Sequence, residues 1–206
     1  TEGPKRVNTK NTKARKDHEK IIEMVHPGSK VLDLGCGGGQ LLKKLKKQKN
    51  VQGSGIEISE IGVKRAMANG ISVIQGNLEE ILVNYPDNAF DYCILSQTLQ
   101  ELNRPDFVFE HMLRVGIKGL VSFINLAHLR YRLEIFLRGR FPETKKLPLD
   151  WKTANVAFLS TKNFKEYCKN NSIEIERAVY LHNGKSITFW RNMRANLCVF
   201  EISKNI

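Results

Sequence analysis

The sequence predicts an α/β fold: a mostly parallel sheet with helices on both faces and an antiparallel strand at its end. Three observations predict it. Runs that are apolar on both faces alternate with amphipathic stretches over most of the chain, the pattern of a parallel sheet covered on both sides. The run Val31-Leu32-Asp33-Leu34-Gly35-Cys36-Gly37-Gly38-Gly39 turns a strand directly into a helix through a glycine cluster. The last two strand patterns, Ile173 to Leu181 and Asn196 to Ser203, have no helical crossover between them, which implies antiparallel pairing.

Each element follows from local signals. Residues 1–14 are polar and aperiodic and predict a mobile basic arm; residues 15–206 form one domain. Lys16 to Val25 predicts a helix burying Ile21, Ile22 and Val25, stopped by Pro27-Gly28. After the glycine run comes a helix with Leu41, Leu42 and Leu45 on one face and Lys43, Lys44, Lys46, Lys47 and Lys49 on the other. Val51 to Ile58 reads as the second strand, and Ser59 caps a helix that Asn69-Gly70 ends. Ile71 to Gln75 is the third strand, Leu78 to Val83 a short helix, Pro86-Asp87-Asn88 a turn and Phe90 to Ser96 the fourth strand. Pro105 opens a helix with Val108, Phe109, Met112 and Leu113 inward, and Leu120 to Ile124 is the fifth strand. Thr161 is expected to cap a helix through Tyr167, and His182-Asn183-Gly184 to turn between the last two strands.

Composition bounds the function classes. At 206 residues, 41% hydrophobic and 26% charged, the chain reads as globular. No stretch approaches the 18 or so apolar residues of a membrane helix, and the N-terminus shows no secretory h-region. Cys36, Cys93, Cys168 and Cys198 form no C-x-x-C pair, so no metal site is expected and a reducing cytoplasm is the natural compartment. The net charge of +12 gathers in residues 5–20, the lysine face of 43–49 and the segment from Arg130 to Lys146. The lysine face has no interleaved aromatics and reads as a solvated helix surface, so nucleic-acid binding is disfavoured there.

The glycine run carries the chemistry. Glycines at 35, 37 and 39 accept φ > 0 and let a ligand approach the backbone. A dinucleotide fingerprint, G-x-G-x-x-G, would need glycine at position 40, which is Gln40. The run is instead D-x-G-x-G-x-G. Asp33 suits a ligand with positive charge, such as the ammonium and sulfonium of S-adenosylmethionine, and would repel a pyrophosphate. Glu57, 18 positions after Gly39 at the end of the adjacent strand, is placed to accept from ribose hydroxyls. A charge between Ile56 and Ile58 needs a partner. Such ligands sit outside the carboxyl ends of the central strands, which gathers Gly35 to Gly39, Glu57, Asn77, Ser96 and Gln97. Asn77 and Gln97 read equally well as helix caps.

Motif and topology together resemble the class I S-adenosylmethionine-dependent methyltransferases, whose Rossmann-like sheet has seven strands. The resemblance implies cofactor-binding roles for Asp33, Gly35, Cys36, Gly37, Gly39, Glu57, Ile58, Asn77, Leu78, Ser96 and Gln97. Ile58 would pack against the adenine, and Asn77 stands where an adenine-binding Asp is common. The segments Val73 to Leu102, Met112 to Asn125 and Leu137 to Pro148 are similar to the MetW family of methionine-biosynthesis proteins. Its most specific parts here are Ser96-Gln97-Thr98-Leu99-Gln100 and Arg138-Gly139-Arg140 with Thr144-Lys145. The chain departs from that family at Asn77, Ile124, Ala127 and Leu129, and at Asn155, Val156 and Phe158. The resemblance implies binding of S-adenosylmethionine or S-adenosylhomocysteine and support of a homoserine O-acetyltransferase partner. Methyl transfer to a small molecule, or to RNA through the face from Arg130 to Lys146, is the alternative. A catalytic base is optional in such displacements. His128, just past the fifth strand, is the one weak candidate, against a structural reading of the same residue. No N/D-P-P-Y/F run and no Pro-Cys pair point to DNA as acceptor.

Overall fold

The computed structural model describes residues 15–139 and 159–205. The expected mobile arm, Arg140, Thr144-Lys145 and the departures at 155–158 lie outside the described residues. Among the described residues, one sheet holds all the strands, in the order β3-β2-β1-β4-β5-β8-β6-β7. In chain order these are β1 (Lys30–Leu34), β2 (Gln52–Glu57), β3 (Ser72–Gln75), β4 (Phe90–Ser96), β5 (Gly116–Ile124), β6 (Ile173–His182), β7 (Lys185–Ser186) and β8 (Leu197–Lys204). β1 to β5 pair in parallel, while β8 runs antiparallel to both β5 and β6. The sheet has eight strands rather than seven because the turn after His182 continues as a two-residue return strand, β7.

The helices are α1 (Lys16–Met24), α2 (Gln40–Lys49), α3 (Glu60–Ala68), α4 (Leu78–Ile81), α5 (Pro105–Val115), α6 (Leu129–Arg138), α7 (Thr161–Asn170) and α8 (Arg191–Arg194). They cover both faces, as alternation along the strands requires. Val31, Tyr92, Ile94, Leu120 and Val199 pack with Ile21 and Ile22 of α1, Val25 just after it, and Leu41, Leu42 and Leu45 of α2. Leu32, Leu34, Cys93, Leu95, Val121, Phe123 and Phe200 point the other way, onto Val108, Phe109 and Met112 of α5 and Phe164 of α7.

Several boundaries differ from the sequence expectations for physical reasons. Ser160, not Thr161, caps α7: its Oγ accepts from the Asn163 N–H at 3.1 Å, and Thr161 is the first helical residue. β5 begins at Gly116, directly after α5, because that segment pairs with β4 from Phe90 onward. The lysine face of α2 is partly engaged. Lys43 donates to Asn69 Oδ1 at 2.8 Å and Lys46 to the Gly70 carbonyl at 3.2 Å, tying α2 to the turn after α3.

The second face is held by aromatic packing. Phe123 and Phe200 stack across β5 and β8 at 5.6 Å, and Phe164 lies 4.8 Å from Phe200 and 5.2 Å from Phe123. Phe200→Ala opens a cavity among fully buried neighbours and should cost about 3–5 kcal/mol of stability. Phe136→Ser, at an exposed position of α6, should change stability by less than about 0.5 kcal/mol. Urea titrations of the two variants check both values.

Candidate adenosyl-ligand site

The carboxyl ends of β1, β2 and β4 meet at one edge of the sheet, and the glycine run turns there. The Gly35 and Cys36 N–H groups both donate to the Ile56 carbonyl, at 2.8 and 3.0 Å. Gly35 has φ +77°, and a Cβ there would stand 2.8 Å from the Thr98 side chain, so only glycine lets the loop after β4 close on this turn. Gly39 has φ +73° and sits against Ile71 and Ala66, which seats the start of α2 beside α3. A Cβ on Gly37 would meet nothing within 4 Å, so the loop faces open space at that point.

Glu57 is buried, and both of its carboxylate oxygens accept from backbone N–H groups. Its Oε2 accepts from the Gly37 N–H at 2.8 Å and its Oε1 from the Ser59 N–H at 2.7 Å. The carboxylate thereby couples the glycine loop to the loop after β2. Cys36 packs inward against Gly55, and burial, with the negative Asp33 and Glu57 nearby, pushes its thiol up to about 12. It is a small packing residue, not a nucleophile.

A second polar cluster lies beside the glycine loop, and sequence reasoning missed it. Asp17 in the first turn of α1 is fully buried. Its Oδ2 accepts from the Ser96 and Ser122 hydroxyls, both at 2.9 Å. Arg15 grips the same carboxylate, Nη2 to Oδ2 at 2.6 Å and Nε to Oδ1 at 3.2 Å. Burial alone would raise the Asp17 carboxyl; the Arg15 charge and its hydrogen bonds more than offset this and hold it well below the usual range. The signal was available: Asp17 lies four residues before Ile21 on the buried stripe of an amphipathic helix. Asp33, by contrast, is pushed up to about 7 by burial, opposed by Arg15 and reinforced by Glu57 and Asp17. His18, also buried, is held down to about 4 by burial and by Arg15.

The remaining candidates divide. Ser96 ends β4 within the cluster. Gln97 follows it in the left-handed region, φ +58°, with its N–H donating to the Ser122 carbonyl at 2.9 Å. Such a conformation in a non-glycine residue stores strain and is typical of functional turns. Ile58 is 59% exposed beside Glu57, open to a planar ligand. Asn77 follows β3 and caps α4, its Oδ1 accepting from the Glu79 N–H at 3.0 Å; Leu78 packs on the core. His128 lies past β5, two strands from β1, and caps α6. Its Nδ1 accepts from the Arg130 N–H at 3.1 Å, so the ring proton belongs on Nε2, which faces His182 Nδ1 at 3.4 Å. To act as a base, His128 would have to release its cap. A cleft of about 430 Å³ lined by Lys30, Lys46, Gln52 and Phe90 lies at the amino ends of the strands, away from this chemistry.

A family model described as "Methionine biosynthesis protein MetW" matches residues 15–202. The chain belongs to the MetW family. It is 32% identical over 174 residues to the bifunctional methionine biosynthesis protein MetXA/MetW of Rhodopirellula baltica, covering 80% of this chain and 28% of that protein. It is 30% identical over 125 residues to ajmaline N-methyltransferase of Rauvolfia serpentina, covering 57% of this chain and 42% of the enzyme. The chain thus spans 24% to 42% of the length of the curated relatives it matches. Among solved structures, an S-adenosylmethionine-dependent methyltransferase from Mesorhizobium loti superposes with a TM-score of 0.68 at 16% identity, over 92% of this chain and 98% of that one. The fold is therefore that of the class I methyltransferases, as the sequence predicts. Among the described residues, no helix of this MetW-family chain is long and apolar enough to cross a membrane.

The two shifted groups make a pH prediction. Asp33 ionises near 3.8 in the unfolded chain but near 7 when folded, so its contribution to stability is complete below pH 4 and lost as pH rises toward 7. His18 titrates near 6.5 unfolded and near 4 folded, so its contribution is complete above pH 6.5 and lost as pH falls toward 4. Each slope approaches about 1.4 kcal/mol per pH unit, with opposite sign. Asp33→Asn removes the first. Its unfolding free energy should rise more steeply between pH 4 and 7 than that of the wild type, and parallel curves in urea titrations would contradict the assignment.

Proposed function

We propose that this MetW-family domain binds S-adenosylmethionine or S-adenosylhomocysteine and supports a homoserine O-acetyltransferase through direct contact. The observation that carries the partnership is the Rhodopirellula relative, named for a MetXA and a MetW function in one chain. Domains joined in one chain meet at high effective concentration. Two such domains that work together, in one chain or in two, meet through a surface on each.

The surface favoured here is α6. Phe136 and Leu137 are 83% and 73% exposed, Leu133 and Ile135 are also exposed, and Arg138 ends the helix. Aromatic and arginine residues of this kind supply interface hot spots. The ligand reading rests on Glu57 and the open face at Gly37, and on the acidic surroundings of Asp33, which suit a cationic ligand and repel a pyrophosphate. The second reading, methyl transfer to a small molecule, is favoured by the identity to the plant N-methyltransferase and by the fold.

Calorimetry should show binding of S-adenosylhomocysteine and none of NAD. Glu57→Gln places an amide N–H where the carboxylate accepts, and should weaken that binding by roughly 10- to 100-fold, the worth of a hydrogen bond to a charged group. Unchanged affinity in this variant would sink the ligand assignment. For the partnership, homoserine O-acetyltransferase activity is measured with and without this protein. Stimulation, lost in Phe136→Ser/Leu137→Ser at unchanged stability, is the expected outcome. An acetyltransferase indifferent to the wild-type protein removes the partner reading and leaves methyl transfer.

A further inference from the structure

We propose that the cavity between the start of α7, the end of β6 and α8 is a binding site for a phosphoryl dianion, served by Lys162, Lys165, Arg191 and the Tyr180 hydroxyl. The inference is independent of the adenosyl-ligand reading, because the cavity lies on other strands. β6 runs parallel to β5, both being antiparallel to β8, and Tyr180 pairs with Cys198, which pairs with Phe123. Phe123 packs with Phe164 of α7, whereas its neighbour Ser122 bonds to Asp17 of α1. The cavity is therefore on the opposite face of the sheet from the carboxylate cluster.

Its volume is about 240 Å³, and it is lined by Thr161, Lys162, Lys165, Tyr180, Arg191 and Asn192, three of them cationic and none acidic. Lys165 Nζ and Arg191 Cζ lie 5.5 and 5.2 Å from the centre of the Tyr180 ring, so two cations crowd one aromatic group. Lys162 pairs with Glu166 at 3.8 Å, but both side chains are exposed and the pair neutralises little. α7 is ten residues long and begins here, adding the positive end of its dipole. The floor is fixed. Asn125, fully buried, accepts from the Thr161 N–H at 3.3 Å and donates to the Asn192 carbonyl at 2.9 Å. The Thr161 hydroxyl donates to Asn192 Oδ1 at 2.5 Å, which leaves the Asn192 amide a donor. Arg191 is placed by the turn before it. Trp190 is held at φ +49°, strained for a residue with a side chain, and Arg191 Nε donates back to the Thr188 carbonyl at 2.8 Å. Among the described residues, neither Nη group of Arg191 has a hydrogen-bond partner.

Tyr180 points to a ligand independently of the charges. It is 3% exposed and packs edge-on against Phe200 at 5.8 Å, a core position that phenylalanine would fill as well. Among the described residues its hydroxyl is the only buried side-chain polar atom without a partner. Buried hydroxyls are ordinarily bonded, because an unmade bond there is costly. The neighbouring groups along the cavity offer it donors: two ammonium groups, a guanidinium and an amide. An anion supplies the acceptors that all of them lack. Three cations exceed the charge of one carboxylate and suit a dianion. Donors that converge from α7, β6 and α8 suit a tetrahedral group better than a planar one. The cavity is smaller than the roughly 300–1,000 Å³ of most small-molecule pockets, so it takes a phosphoryl group on a small body.

Calorimetry at constant ionic strength with inorganic phosphate, glycerol 3-phosphate and acetate tests the site. Both phosphates should bind saturably and acetate should not. Tighter binding of glycerol 3-phosphate would mark a phosphomonoester as the ligand, and equal binding would mark free phosphate; either supports the site. K165Q/R191Q should weaken the phosphates by roughly tenfold or more. K47Q/K49Q makes the same change of charge on α2, across the sheet, and should leave them within about twofold. Y180F should weaken them by roughly three- to tenfold with no loss of stability in urea, since the hydroxyl has no partner to lose. Absence of saturable phosphate binding, acetate bound as tightly, or equal weakening by the two double variants overturns the proposal. A Y180F variant that binds as the wild type does, or that unfolds more readily, overturns the part given to the hydroxyl.

Discussion

Three buried carboxylates at one edge of the sheet are the constraint on which the rest of this structure depends. Asp17, Asp33 and Glu57 are each at most 2% exposed, and an uncompensated charge in such a place is prohibitive. Each is satisfied differently. Glu57 takes two backbone N–H groups, and the glycine loop must therefore bend to offer the Gly37 amide. Asp17 takes two serine hydroxyls and a guanidinium, which fixes α1 against the ends of β4 and β5. Asp33 has its carboxyl pushed up to about 7 by burial, so its buried form can be neutral.

What the sequence made legible was local. β1, the glycine turn, α2 and Glu57 lie within 28 residues, 30 to 57, and their spacing reports the turn directly. The cluster around Asp17 was invisible because its partners are 79 and 105 residues away. Flanking apolar residues suggested that Glu57 needed a partner, but not that amides would serve. Asn77 and His128 were ambiguous because a helix cap and a ligand contact ask for the same polar side chains, and the caps are what their hydrogen bonds describe. Gly116 and Gly119 disguised the start of β5, which close contact with Cys93 and Ile202 requires to be glycine.

β5 is the element that the carboxylate cluster and α6 share. Ser122 bonds to Asp17 on one side. Three residues on, Asn125 is fully buried and joins four segments: it donates to the Asn192 and Ala195 carbonyls and accepts from the Ala127 and Thr161 N–H groups. Gln100 bridges the Ile124 amide and carbonyl between them. Buried hydrogen bonds therefore run from the carboxylate cluster along β5 to Asn125, next to the half-buried turn that opens α6.

The position of β8 has a consequence for how such a chain comes to be folded. It is the last strand in sequence, yet it lies between β5 and β6, both made before it. Until β8 arrives, β5 is a bare edge of the growing sheet and β6 has only the two-residue β7 beside it. During synthesis β5 leaves the ribosome some eighty residues before β8 is complete, and any sheet formed from β1 to β5 exposes an apolar, unpaired flank for that time. A nascent chain of this topology is therefore a natural client for chaperones that shield open sheet edges.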